Sequence, residues 1–568
     1  MRRLLIALFL VLTTLWSAVP HAARAYTLQA TEGATPAQIK WTRHRINVAL
    51  SSSLLAPPAN IKPGSDVTGA ARRALAHWSA AANIKFVETI SKAESISAPN
   101  SGGDGLSLIT VAHTPENTAP FTGASSEASG RTRLFYTESG AITEADIALN
   151  PTQQFSTDGT PGTYDLEATL THEVGHLLGL EHSGITGATM QPRQGKNGLY
   201  KMAALTPRAL SDDDRAGVRA LYGVGGEDGR QRAAVSGSIS YAGGAPVFGA
   251  NVWAEESETG KVSASNITLA NGAYRIEGLP AGSYRLWVEA LDGTVQAAEI
   301  ASGRGNYAGL ALNSLPPFRT QEIGRITLVA GETTRLNAQL SSLPVLLNPS
   351  LIGLNEQLST ISLPLTAGRT YTIYLGGDGV STNQISATGI NLASPFISVN
   401  PASVAQQDFG NGLPVMSFDI TISPKTPTGD YSLHLNSNTG EVACLAGALS
   451  IEGVENSTDE QNRVSVVPLD ALDGDETALV AGRLVMLSGA GFSEQALTAT
   501  AHGPESDATG ILLMARHGGA AVNLIYSSGA SAYVPLTQVS RTRLGFRIPS
   551  DAEPGRVRVE VLLGGQQA

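Results

Sequence analysis

Three histidines and one glutamate in the stretch THEVGHLLGLEHSGITGATMQP, Thr171 to Pro192, carry the plainest chemistry in this 568-residue chain. His172 and His176 are spaced i, i+4, which on a helix puts both imidazoles on one face, within reach of a single metal ion. Two ligands do not hold a metal firmly. His182 comes three residues past Gly179, and a helix bearing the first two ligands can aim it at the same ion only if the chain turns sharply; a glycine free to take positive φ allows that turn. Three neutral imidazoles favour a borderline metal, one zinc ion, and leave one of its four tetrahedral positions open to water. An open position points to catalysis. Glu173, next to the first ligand, is placed to take a proton from that water, whose pKa such a site lowers to about 7.

These side chains need a helix to carry them and a scaffold to hold the helix. Residues 39 to 225 read as one α+β unit, within a domain taken as 26–225. Ile46 to Leu50 look like a strand, and Val67, Ala70, Ala74, Leu75 and Trp78 recur at helical spacing until Asn83. Short strands are expected at Ile84 to Val87, Leu106 to Val111, Arg133 to Tyr136 and Ala145 to Leu149. The helix with the histidines follows. A last helix begins at Ser211, which forms a capping-box pair with Asp214, and runs to Tyr222 before Gly223.

HEVGHLLGLEH resembles the H-E-x-x-H-x-x-G-x-x-H signature of the metzincin metallopeptidases, and Met190, eight residues after His182, matches their Met-turn. Ser183 and the ATMQP context are most similar to the matrixin branch, the matrix-metalloproteinase-like group. The resemblance implies His172, His176 and His182 as zinc ligands, Glu173 as general base and Met190 beneath the metal. It implies a catalytic domain with a mixed β-sheet and three helices. GAITEADIALN is similar to the strand before the active-site helix of bacterial matrixin-like proteins, and LSDDDRAGVRALYG to the closing matrixin helix, with Asp213 and Asp214 as its acidic pair supporting the site. The chain departs from the family in two places. His113 stands nearly alone where vertebrate members build a structural zinc site, so no structural zinc is expected. Gln191, Pro192, Arg193 and Gln194 follow the Met-turn where the family often has tyrosines around a proline.

Arg2 and Arg3, the apolar Leu4 to Leu15 and the small residues of Ala23-Arg24-Ala25 read as a signal peptide over 1–25. Export to the outside of the cell, or to a periplasm, is the expected location. The net charge of -11 argues against a nucleic-acid partner, and no later apolar stretch is long enough to span a membrane. Cys444 is the one cysteine, so no intramolecular disulfide forms, and with no cysteine before the site a cysteine switch is not expected. Its VACLAGAL surroundings read as buried core.

Gly223 to Arg232 are glycine-rich and charged, with 226–232 taken as the linker, and only β pattern follows. Residues 233–343 resemble the carboxypeptidase regulatory-like, transthyretin-related β-sandwich. Within it Tyr274, Ile276 and Leu279, then Tyr284, Leu286 and Val288, alternate across two strands joined by Pro280 to Gly282, as in a hairpin. The segments 344–452 and 453–568 read as two copies of an Ig-like sandwich: LTAGRTYTIYLGGDGV from Leu365 parallels LVAGRLVMLSGAGF from Leu479, and the segment from Phe418 parallels that from Phe546. The expected fold is therefore multidomain, an α+β metzincin domain followed by all-β sandwiches. Calcium is a second candidate ion with no residues assigned; Asp473, Asp475 and Glu476 form an acidic turn that reads as solvated.

The expected activity is zinc-dependent hydrolysis of peptide bonds in extracellular proteins, with a protein or peptide substrate. The competing expectation is a secreted adhesion protein whose sandwich tail binds an extracellular protein ligand, the peptidase being accessory.

Overall fold

The computed structural model describes residues 26–452, apart from 34, 124–125, 202–207, 225–231, 301–304, 311–315 and 411, and strand segments between 465 and 567. The stretch read as a signal peptide, most of the linker and the Asp473 turn lie outside the described residues. Those strand segments beyond 465 form a second compact unit, described by itself below.

The first part of the chain builds a five-stranded sheet from β1 (Arg45–Ser51), β2 (Lys85–Ser91), β3 (Leu108–Thr110), β4 (Gly130–Tyr136) and β5 (Ile142–Leu149), in the order β2-β1-β3-β5-β4. All pairs are parallel except β4 with β5, so β4 is an antiparallel edge strand. Three long helices accompany it: α1 (Val67–Ala81), α2 (Leu166–Leu177) and α3 (Asp212–Tyr222). The apolar stripe of α1, Val67, Ala70, Ala71, Ala74, Leu75 and Trp78, is buried in one core with Leu50, Ile109, Ile147, Leu170 and Val174. Burying side chains of that size contributes on the order of 1.5–3 kcal/mol each for the larger ones. The alanines let α2 approach closely, and Trp78 Nε1 donates to the carbonyl of Thr171 at 2.8 Å, which fixes α1 against the residue preceding His172.

β3 is shorter than its apolar run. Val111 N–H donates to the Ser53 hydroxyl and Leu108 N–H to the Asp146 carboxylate, so side chains replace the ladder at both ends of the strand. A single helical turn, Pro115–Thr118, was not read from the sequence; Thr114 caps it and Pro115 stands in its first turn.

Arg232 already belongs to a strand, Arg232–Tyr241, so the stretch read as linker ends one residue earlier. Around that strand a sandwich forms from two sheets. One orders Val262–Ile267, Asn251–Glu256, Gly282–Glu289 and Gln321–Leu328; the other orders Ala273–Pro280, Arg232–Tyr241 and Thr333–Arg335. The hairpin expected at Pro280 to Gly282 is therefore absent. Ala273–Pro280 and Gly282–Glu289 lie in different sheets, because the one residue between them cannot close a two-residue turn and both apolar faces point into a shared core. Tyr284 OH donates back to the Pro280 carbonyl across the step at 2.9 Å.

A second sandwich has sheets ordered Gln357–Ser359, Asn348–Leu354, Thr370–Asp378, Val415–Ile422, Ile397–Gln407 and Leu363–Thr366, Val442–Glu452, Gly429–Ser437, Ile385–Asn391. Cys444 is buried here, and burial pushes its thiol well above the usual range. In the separate unit, Leu484–Ser488 pairs with Arg543–Arg547, placing Val485 opposite Phe546. The same relation holds in the preceding sandwich, where Thr370–Asp378 pairs with Val415–Ile422 and Ile373 faces Phe418. The two parallel sequence segments thus occupy equivalent paired strands. No helix among the described residues is long and apolar enough to cross a membrane.

Candidate metal centre and active site

α2 starts because Asp165 caps it, accepting from the Ala168 N–H at 2.9 Å, while Arg208 grips the same carboxylate. It stops at Gly179, whose φ is 94°. Gly179 N–H donates to the His176 carbonyl and Leu180 N–H to that of Gly175, the paired closure that a left-handed residue after a helix permits. A Cβ at Gly179 would overlap the Ile39 carbonyl oxygen. The turn redirects the chain so that His182 meets the two helical histidines, and one nitrogen from each of the three lies within 4.8 Å of the others. Among the described residues this is the one group of three or more His, Cys, Asp or Glu side chains so placed.

Each imidazole is held from behind by a carbonyl: His172 Nδ1 by Thr189 at 2.8 Å, His176 Nδ1 by Leu180 at 2.9 Å and His182 Nδ1 by Glu299 at 2.5 Å. A carbonyl oxygen only accepts, so each Nδ1 carries the proton and each Nε2 keeps its lone pair. That donor set fits zinc, which takes neutral histidine nitrogens whose tautomers are fixed by a partner on the other ring nitrogen. Burial keeps two of the rings neutral: it lowers His176 well below the ordinary range and pushes His182 down to about 3, with His172 adding repulsion.

Met190 is fully buried under the helix. A Cβ at Gly175 would collide with its Sδ and with Trp78, so the absent side chain at Gly175 makes the space for the methionine. The Met190 loop hangs on α3. Asp214 closes the capping box with Ser211 and also accepts from Thr189 N–H at 2.7 Å and Met190 N–H at 3.1 Å. Asp213 accepts from the Ser183 hydroxyl at 2.5 Å. Both carboxylates are buried, so they serve as supports of the loop after the third histidine and not as a solvated helix start.

Glu173 sits on the sheet side of α2, against the edge strand. Its Oε2 accepts from the Thr132 hydroxyl on β4 at 2.6 Å, and that hydroxyl lies 3.0 Å from the Glu173 carbonyl as well. Burial raises the Glu173 carboxyl above its ordinary value, while His172, Thr132 and Arg131 draw it back. Thr132 was not singled out in the sequence; a threonine in an alternating strand carries no motif. His113 Nε2 donates to Asn60 Oδ1 at 2.8 Å, away from the histidine group.

The loop after Met190 is bound by both sandwiches. Gln191 Nε2 donates to the Thr360 carbonyl at 3.2 Å, Arg193 Nε donates to Glu299 Oε1 at 2.5 Å, and Tyr200 OH lies 2.8 Å from the Ile361 carbonyl. Gln194 turns inward, its amide oxygen accepting from Thr169 on α2 and Ser129 beside β4. Between this loop and Ser359–Ile361 lies a cavity of about 430 Å³, lined by Arg193, Gln194, Lys196, Leu199 and Ile361 among others. None of these partners carries a sequence signal.

Residues 40–223 match the family model described as Matrixin, and residues 234–341 match the carboxypeptidase regulatory-like domain. Metalloendoproteinase 4-MMP of Arabidopsis thaliana is 28% identical over 206 residues, which is 33% of this chain and 49% of that protein. Metalloendoproteinase 1-MMP of the same plant is 31% identical over 198 residues, 32% of this chain and 44% of that protein. Mouse matrilysin is 36% identical over 70 residues, 12% of this chain and 24% of that protein. The chain spans about half the length of the first of these relatives and less of the others. It carries a matrixin domain, a carboxypeptidase regulatory-like domain and further β-sandwiches.

Proposed function

We propose that the chain is an exported zinc-dependent endopeptidase that cuts extracellular proteins, with His172, His176 and His182 as ligands and Glu173 as the general base. The observation that carries this reading is the set of three Nδ1-to-carbonyl bonds, which leaves three converging Nε2 lone pairs beside a buried carboxylate. Zinc bound there supplies a Lewis acid for the scissile carbonyl and lowers the pKa of water. The protein's own part is positional. β4 offers an antiparallel edge along which an extended peptide can pair, and its Gly130 faces the Glu173 side chain with no Cβ in between. Glu173, raised by burial yet held by Thr132, takes a proton from the attacking water and returns it to the leaving amine. The cavity between the Met190 loop and Ser359–Ile361 is the place for a substrate side chain. Export rests on the residues over 1–25. Calcium and a tail ligand have no assigned residues.

The test is casein cleavage by the chain from Tyr26 onward beside Glu173→Ala. The variant is expected to keep one zinc per chain and its fold while hydrolysis drops by several orders of magnitude. Equal cleavage by both proteins would remove Glu173 from the mechanism. No cleavage by either zinc-loaded protein would favour the binding-protein reading.

A further inference from the structure

The carbonyls behind His172 and His176 come from 17 and 4 residues away, inside the peptidase domain. The one behind His182 comes from 117 residues away, in the carboxypeptidase regulatory-like domain. Glu299, which supplies it, ends a short turn, Ala297–Glu299. The turn is well rooted: Leu291, Val295 and Ile300 flanking it are buried in one cluster with Phe248, Ile267 and Tyr307. Ala297 N–H donates to the Leu291 carbonyl at 2.9 Å. The Glu299 carboxylate has two partners of its own, Gln296 N–H at 2.9 Å and Arg193 Nε at 2.5 Å. One residue therefore touches a ligand with its main chain and the loop after Met190 with its side chain.

We propose that Glu299 is a positioning residue of the metal centre, so that the carboxypeptidase regulatory-like domain completes the zinc site and is not a spacer behind it. This rests on the zinc-peptidase reading above. The Glu299 carbonyl fixes the His182 tautomer and the direction of its Nε2, and the carboxylate, through Arg193 and Gln296, fixes the carbonyl. Partners of this kind behind a metal-bound histidine typically account for roughly ten- to a hundredfold in metal affinity.

The test uses the full chain, with zinc affinity measured by competition against a chromophoric chelator and the ligand field read from the visible spectrum of the Co2+ derivative. Glu299→Ala keeps the main-chain carbonyl but removes the two contacts that fix it, so it is expected to weaken zinc about tenfold, the lower end of that range, and to change the Co2+ spectrum. Arg193→Ala should do the same more weakly and add little in the double variant, since the two act as one unit. Glu299→Gln keeps the size of the side chain, and with loss of charge on the Arg193 contact it should fall between parent and Glu299→Ala. Should Glu299→Ala fail to fold, Glu299→Gln alone decides the matter. Zinc affinity within twofold of the parent and an unchanged Co2+ spectrum in the folded variants would overturn the proposal. His182→Ala separates the two levels. A parent that binds no more zinc than His182→Ala sinks the zinc-peptidase reading itself, whereas a parent that binds and cuts, with Glu299 variants to match, sinks only the role of Glu299.

Discussion

Thr132 is the smallest group with a direct hold on the chemistry. Its hydroxyl gives the Glu173 carboxylate a 2.6 Å hydrogen bond, and a bond to a charged acceptor contributes roughly 1.5–3 kcal/mol. Thr132→Val keeps the shape of the side chain and deletes the bond. Steady-state kinetics on a fluorogenic peptide should show kcat reduced about tenfold with KM and zinc content near those of the parent. An unaltered kcat would mean that Glu173 is held by packing alone. At this scale the sequence was informative only where chemistry imposes spacing. The His172, Glu173, His176 and His182 offsets announce themselves, because a helix and one turn leave few ways to bring three imidazoles together. Thr132 and Glu299 act through contacts that join distant segments, and nothing in their neighbours marks them.

At the scale of elements, the junction between α2 and the third histidine depends on Gly179. An alanine there must hold a φ of 94° and push against the Ile39 carbonyl, which lies on the segment leading into β1. Strain of this kind costs about 1–3 kcal/mol before the overlap is counted. Gly179→Ala should melt several degrees lower than the parent and bind zinc more weakly, by thermal denaturation and chelator competition. A melting temperature matching the parent's would show that the turn tolerates a side chain. Gly179 and the Ser211 to Asp214 capping box were legible because end signals of helices are local. The step between Ala273–Pro280 and Gly282–Glu289 was not: alternation tells which side chains face a core but not which sheet a strand joins, and both choices bury the same six residues.

At the scale of the molecule, the peptidase domain and the two sandwiches up to 452 share a buried acidic seam. Asp430, from the second sandwich, accepts from Ser450 at 2.6 Å, and burial pushes its carboxyl up to about 7, with Asp214, Asp212 and Asp213 adding repulsion. Asp213 is pushed up to about 7 by burial and by Asp214. Lys261 answers part of this charge through Asp212 at 2.7 Å. A carboxyl raised from an ordinary value near 3.8 binds its proton more tightly in the folded state. Its contribution to stability is therefore complete below pH 4 and is lost as the pH rises through 7. Zinc-saturated protein should melt several degrees higher at pH 5.5 than at pH 8. Asp430→Asn, which can still accept from Ser450, should flatten part of that fall. Identical losses in parent and variant would place the pH sensitivity elsewhere.

The 117-residue gap between His182 and the Glu299 carbonyl also orders events in time. A chain made from its N-terminus exposes all three histidines, the glutamate and the methionine loop well before residue 299 exists. Until the later turn has been synthesised and docked, the third imidazole is free to rotate and the loop after Met190 has no anchor at Arg193. The half-made chain thus lacks the last support of its histidine group until the first sandwich has folded.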